Sequence, residues 1–313
     1  MTTATVKTGA AAPSLQDFYD LDALYSPEER MIRDSVREFV RAEILPHVGE
    51  WWQEGVFPED LARRFGAIGA LGVTLPERYG GAEASYSAYG LVCREIEYVD
   101  SGMRSFVSVQ SSLVMYPIHR WASEELKAEW LPRLASGEAV GCFGLTEPDA
   151  GSDPASMRTR CRKVGDEYVI TGVKRWITSG SRADVAIVWA KDEGSGEVLG
   201  FVVETDRDGF SAVDIKTKAS MRASVTSELY LDEARRTVRD ASLGGRRRPR
   251  VPVVVARLGE RAGAIGAALG AALRWAVLTT VDGGAFPWPV LVVNVAGSLL
   301  LGARWIAPLL VGG

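Results

Sequence analysis

The chain has 313 residues, 47% hydrophobic and 24% charged, with a formal net charge of −4, the make-up of a globular protein long enough for two or three domains. So mild a charge excludes a nucleic-acid-binding role for the chain as a whole. Its three cysteines (Cys93, Cys142 and Cys161) are widely spaced without a C-x-x-C pair, and His47 and His119 stand alone, so a reducing compartment is expected, and neither a metal site nor a histidine triad is.

Residues 1–19 contain no long apolar run and read as a disordered lead-in rather than a signal peptide. Residues 20–138 are helical in pattern. "SPEERMIRDSVREFVRAEILPHV" opens with Ser26 as N-cap, Pro27 at the first helical position and Glu29 three residues after the cap. Ile32, Val36, Phe39, Val40 and Ile44 then recur at helical spacing and predict one core-facing stripe. Further helices are predicted in "PEDLARRFGAIGALG", "SAYGLVCREIEYVDSG" and "SEELKAEWLPRLASG". Residues 139–243 change character. "DEYVITGVKRWITSG", "ADVAIVWAKD", "VLGFVVETD" and "SELYLDEA" are short β-branched and aromatic runs between Gly, Asp and Ser turns, which predicts a small β domain.

At the start of that domain, "GCFGLTEPDAGSD" runs from a short apolar strand through Thr146 and Pro148 into a loop of small polar residues. Such a loop can set hydroxyls and N–H groups against a flat heterocycle or a pyrophosphate, with Gly151 allowing close backbone approach and Ser152 offering a further hydrogen bond. On the residues alone, Thr146 and Ser152 read more simply as turn residues and Trp176 as a core aromatic.

A helical domain followed by a β domain, with "FGLTEPDAGSD" at the join and "WITSG" downstream, resembles the acyl-CoA dehydrogenase family. "MRSFVSVQSSLVMYPI" at 103–118 and "MRASVTSELYLDEA" at 221–234 are most similar to the glutaryl-CoA dehydrogenase branch, and the resemblance covers about 20–243. It implies FAD as cofactor. Phe143, Gly144, Leu145, Thr146, Gly151 and Ser152 would lie along the flavin and its pyrophosphate, and Trp176, Ile177 and Thr178 would cover the flavin's other side. Ser152 would also touch an acyl-CoA. Arg104 and Ser105 would hold the far carboxylate of glutaryl-CoA, a role that suits an Arg fork beside a hydroxyl; Arg104 could otherwise cap a helix or face solvent.

The same resemblance calls for a third, helical domain that supplies a glutamate base, and after about Leu243 no such pattern follows, so the general base is expected to be missing. An Arg-rich linker at 244–257 leads instead into 258–313, where "AGAIGAALGAALRWAVLTTV" and "GGAFPWPVLVVNVAGSLLLGA" each have about the length and apolarity of a membrane span. The ordered features Gly263, Gly266, Gly270, Arg274, Phe286-Pro287, Asn294 and Gly297 resemble the first two helices of CrcB/Fluc fluoride channels, in which Arg274 and Asn294 would belong to the polar lining.

The fold expected is therefore multidomain: an α-helical N-terminal domain, a β-barrel or sandwich-like middle domain, and a two-helix transmembrane hairpin. The resemblance implies a truncated FAD-dependent acyl-CoA dehydrogenase of the glutaryl-CoA type that keeps the flavin- and acyl-CoA-binding motifs but lacks the base, with a membrane protein, half of a fluoride channel carrying a soluble flavoprotein-like N-terminal domain, as the alternative. The N-terminal domain is expected to be cytoplasmic and anchored by the hairpin, with homo-oligomer formation open.

Overall fold

The computed structural model describes residues 21–237. The lead-in at 1–19, the linker at 244–257 and the hairpin at 258–313 with Arg274 and Asn294 lie outside the described residues. Among the described residues no helix is long and apolar enough to cross a membrane.

The first helix, α1 (Pro27–Phe39), begins as its sequence predicts. The Glu29 N–H donates to Ser26 Oγ at 3.1 Å and the Ser26 N–H donates to Glu29 Oε2 at 2.8 Å, a reciprocal cap that satisfies two otherwise orphaned donors. A π turn (Val40–Ile44) continues it, closed by Leu45 N–H to Val40 O at 2.8 Å. Val36, Val40 and Ile44 are buried, with Ile32 and Phe39 packed beside them, as the periodicity requires. Then follow α2 (Val48–Glu54), α3 (Leu61–Ala67), α4 (Tyr86–Glu97) capped by Ser85, and α5 (Ser101–Ser108) capped by Asp100. A second π stretch (Val109–Met115) joins α5 to α6 (Tyr116–Trp121), and α7 (Glu124–Ala135) starts from Ser123.

Among the described residues seven strands follow: β1 (Gly141–Gly144), β2 (Arg160–Val164), β3 (Glu167–Thr178), β4 (Val185–Asp192), β5 (Val198–Glu204), β6 (Phe210–Asp214) and β7 (Thr226–Thr237). The expected barrel- or sandwich-like domain takes the form of one connected sheet in the order β1-β4-β2-β3-β7-β6, with β5 also paired to β4. β1 and the start of β2 both run parallel to β4, while the remaining pairings are antiparallel. The runs predicted for β3, β4, β5 and β7 match closely. The short β2 and β6 escape the pattern because most of their residues are exposed or only partly buried, leaving no apolar alternation to read.

β4 is covered on both faces. Val185 and Ile187 join the helical core with Phe106, Val114 and Ile118, whereas Ala186, Val188 and Ala190 join Phe201, Val203 and Leu229 in a second core across the sheet. Strands buried on both faces read as continuous apolar runs, as "VAIVWA" does.

The helical layer fixes where β1 begins. Gln110, in the π stretch after α5, is buried; its Nε2 donates to Gly141 O and its Oε1 accepts from the Gly141 N–H, both at 2.8 Å. This side chain completes the backbone hydrogen bonding of an edge-strand residue, much as a neighbouring strand would. Only glycine fits at 141, because a Cβ there would lie 2.4 Å from Val114 Cγ1.

Candidate functional site

The loop that leaves β1 and the bulge near the end of β3 are bound to each other. The Arg175 N–H donates to Thr146 O at 2.8 Å, which sets the loop beside Trp176. Behind that contact, Lys174 Nζ donates to Leu145 O at 3.1 Å and to Glu147 Oε1 at 2.8 Å. Glu147 also accepts from the Arg158 and Thr159 N–H groups at 2.6 and 3.0 Å. The side chains of Lys174 and Glu147 are 0% and 4% exposed. Burial pushes the Glu147 carboxyl up, but the Lys174 ammonium and the donated N–H groups outweigh it and hold it below the ordinary carboxylate range. Burial pulls the Lys174 ammonium below its ordinary value despite Glu147.

The bulge aims Trp176 outward. β3 pairs regularly with β7 at Lys174↔Leu229 and resumes at Ile177↔Ser227, so Arg175 and Trp176 form an irregular step. Lys174 and Ile177 are both buried, and Trp176 between them is 54% exposed with φ at 64°. A bulky residue at positive φ is uncommon and strained. Trp176 is thus no core aromatic. The Arg175 guanidinium lies 5.1 Å from the indole centroid and pairs with Glu228 at 3.0 Å.

The other residues expected around this site divide by burial. Phe143 is half-buried and packs edge-on to Trp189 against the helical core, while Gly144 and Ile177 are buried, so any contact these last two make with a ligand is through backbone. Leu145, Thr146 and Thr178 are half-buried, and Gly151 and Ser152 are exposed. A Cβ on Gly151 would meet nothing within 4 Å, so nothing in the chain itself demands a glycine there. Among the described residues, the hydroxyls of Thr146, Ser152 and Thr178 donate to no other group of the chain. The result is a flat apolar face beside free hydroxyls and an open loop.

Arg104 and Ser105 lie on α5. Adjacent helical positions diverge, so the two do not act as one fork. Arg104 Nε donates to Glu97 Oε2 at 2.6 Å and Nη1 to Ser108 Oγ at 3.3 Å, while Nη2 has no partner among the described residues. Arg104 and the Ser101 hydroxyl hold the Glu97 carboxyl below its ordinary range. Nearby, the Tyr89 hydroxyl meets Ser112 Oγ at 2.7 Å, and burial pushes the phenol up to about 12 and the neighbouring Cys93 thiol upward as well.

Sequence reasoning missed Glu97, Glu147 and Lys174. Glu147 and Lys174 both sit inside the quoted motifs, and the available signal was a lysine in phase with the inward-facing Ile170 of the same strand. Glu97 gave none, because its pairing depends on the turn between α4 and α5. Among the described residues no cluster of His, Cys, Asp and Glu could hold a metal ion.

Residues 26–138 match the family model "Acyl-CoA dehydrogenase, N-terminal domain" and residues 142–234 match "Acyl-CoA dehydrogenase, middle domain". An acyl-CoA dehydrogenase of Bacillus subtilis is 36% identical over 249 residues, 78% of this chain and 65% of that protein. A glutaryl-CoA dehydrogenase of Desulfococcus multivorans is 35% identical over 222 residues, 69% of this chain and 57% of that protein. The chain therefore spans less than two thirds of the length of these curated relatives. A crystal structure of a glutaryl-CoA dehydrogenase from Mycobacterium smegmatis in complex with FADH2 superposes with a TM-score of 0.71 at 44% identity, covering 91% of this chain and 75% of that one. Two domain matches in chain order and a shared fold at this identity lead to one conclusion: the chain belongs to the acyl-CoA dehydrogenase family.

Proposed function

We propose that residues 21–237 are the FAD- and acyl-CoA-binding part of an acyl-CoA dehydrogenase of the glutaryl-CoA type. The observation that carries this reading is the bond from the Arg175 N–H to Thr146 O, which unites the loop after β1 with the exposed Trp176 step. The fit rests on the chemistry of that surface: an outward indole at strained φ, hydroxyls without partners among the described residues, and an open Gly151. An aromatic face of this kind suits a flat heterocycle, and hydroxyls and N–H groups suit its polar rim and a phosphate.

When bound, FAD supplies an acceptor for the hydride lost by the acyl chain. The chain's own residues do the holding. Thr146, Thr178 and Ser152 donate hydrogen bonds, Trp176 shields one face from water, and Phe143, Gly144, Leu145 and Ile177 contribute backbone. Arg104 would select an acyl chain ending in a carboxylate: Glu97 and Ser108 occupy two of its nitrogens and orient the fork, leaving Nη2 for the ligand. Ser105, which diverges from Arg104 on the helix, would reach the same ligand only from a different side. We assign no proton-abstracting carboxylate within residues 21–237. A membrane role rests on 258–313 alone, and no observation on the described residues favours it.

Equilibrium dialysis of the full chain against FAD, with the flavin spectrum recorded, tests the reading. We expect a saturable flavin site that Trp176→Ala weakens about 5-fold or more, the scale of an aromatic stacking loss of about 1–3 kcal/mol. Flavin binding that is unaltered by Trp176→Ala and by Thr146→Val together would overturn it.

A further inference from the structure

We propose that the buried ion pair Glu147–Lys174 positions the cofactor-facing backbone by coupling the loop after β1 to the bulge of β3, an inference that rests on the flavin reading of that surface. Neither residue is exposed enough to touch a ligand, and neither has a role in the reading above.

The argument begins with what an ordinary strand would do at this point. With Lys174 directed inward, the pleat would turn residue 176 inward as well and residue 177 out. The bulge reverses this and leaves Trp176 at a φ of 64°. Such a conformation persists only where its surroundings over-determine it. Two anchors do so here. Ile177, 2% exposed, sits in the sheet core on one side of the step. Lys174 holds the other side, with Nζ bound to Leu145 O, Glu147 Oε1 and, more distantly, Met157 Sδ at 3.9 Å.

The same ammonium therefore grips two points of the loop, one residue on either side of Thr146. Thr146 O in turn accepts from the Arg175 N–H, immediately beyond Lys174. The three bonds form a closed set: loop carbonyl to lysine, loop carboxylate to lysine, and strand amide to loop carbonyl. Glu147 extends the set into the segment before β2 through the Arg158 and Thr159 N–H groups. Burying two charges is costly, and a packed apolar pair of similar volume often stabilises a fold as well or better. Stability alone does not demand this pair, whereas positioning uses the directionality of its bonds, as groups supporting a functional site do.

The test separates stability from positioning in the full chain. The double variant Glu147→Gln/Lys174→Met removes both charges, so no uncompensated buried ion remains; Glu147→Gln alone leaves the Lys174 ammonium buried without its carboxylate and serves as a harsher second variant. Thermal unfolding, FAD affinity by equilibrium dialysis and hydrogen exchange of individual amides are measured on each. We expect the double variant to unfold cooperatively with a melting temperature near the parent's, yet to bind FAD about 10- to 100-fold more weakly, the span lost when supporting partners of a bound metal are removed. The Arg175 amide is expected to exchange faster than in the parent, while amides of 167–170 keep their protection.

Unchanged Arg175 exchange in both variants, or an affinity loss no greater than the loss in stability, would overturn the inference. If the parent binds no FAD, the flavin reading fails on its own, and the Arg175 amide still decides whether the pair couples the two segments.

Discussion

Glu97 and Arg104, seven residues apart around the turn from α4 into α5, are joined by a bond of 2.6 Å between Oε2 and Nε. The contact is a partly exposed ion pair that fixes one edge of the guanidinium and leaves Nη2 without a partner among the described residues, so one nitrogen stays available to an anion. Arg104→Ala is expected to weaken glutaryl-CoA binding about 10- to 100-fold, matching about 1.5–3 kcal/mol for hydrogen bonds to a charged group. An acyl-CoA with an uncharged chain should bind nearly as before. Titration of both ligands by calorimetry measures the difference, and equal losses for the two would remove Arg104 from carboxylate recognition.

How far the sequence could lead is visible in the two arginine-rich neighbourhoods of the helical layer. Ser26, Pro27 and Glu29 announce the start of α1 because capping is local, involving atoms three residues apart. Arg104 could be singled out within a family motif, but Glu97 could not, since their meeting depends on a turn that brings the helix ends together. The site divides in the same way. Thr146, Gly151 and Ser152 are legible from the loop chemistry, and Trp176 only through the family resemblance, because on pattern alone a tryptophan in a strand reads as core. What turns it outward is a bulge, and no residue type announced that step: Lys174 and Ile177 on either side of it are both buried.

Arg37 and Glu95 test the packing of α1 on α4. Arg37 Nε and Nη2 donate to Glu95 Oε2 and Oε1 at 2.8 and 3.0 Å, and Arg94 adds a bond of 2.8 Å to the same carboxylate. Glu95 is buried while Arg37 is about one third exposed, so solvent screening limits the contribution, and Arg37→Ala is expected to cost about 1–2 kcal/mol at neutral pH. Denaturant unfolding monitored by circular dichroism checks this; a loss below about 0.5 kcal/mol would place the pair with ordinary surface contacts.

The same carboxylate sets an acid limit. Burial pushes Glu95 up, but Arg37 and Arg94 outweigh it and leave the folded value below the ordinary one. Because the folded value is the lower, the unfolded chain takes up the proton first. The stabilisation is full above the ordinary carboxylate range and is lost as pH falls through the folded value. Arg37→Ala should raise the pH at which the chain unfolds in acid. An unchanged acid midpoint would mean that other carboxylates set it.

Gln110 tests how the helical layer places the site. Gln110→Leu keeps most of the volume but orphans the N–H and C=O of Gly141, both buried by the surrounding helices. At about 1–3 kcal/mol for each of the two unsatisfied groups, a loss of about 2–6 kcal/mol is expected. Since β1 leads directly into the loop of Thr146, hydrogen exchange should show faster amides along 141–147 even under conditions where the variant remains folded. Protection of β1 equal to the parent's would show that strand pairing with β4 suffices to place it.

Trp176 brings strain and function to one position. A left-handed backbone costs a residue with a Cβ roughly 1–2 kcal/mol, and glycine nothing comparable. The indole is exposed and contributes little burial to offset that cost. Trp176→Gly should therefore be more stable than Trp176→Ala by about 1 kcal/mol, a reversal of the usual order in strands, where glycine is the weaker residue. Both variants should lose the same share of FAD affinity, because both lack the aromatic face. Melting temperatures of the two variants without ligand, with FAD titrations alongside, give both readouts. Alanine more stable than glycine would mean that the positive φ relaxes once the indole is gone, and the strain would then belong to the side chain's placement instead of the backbone step at Arg175 and Trp176.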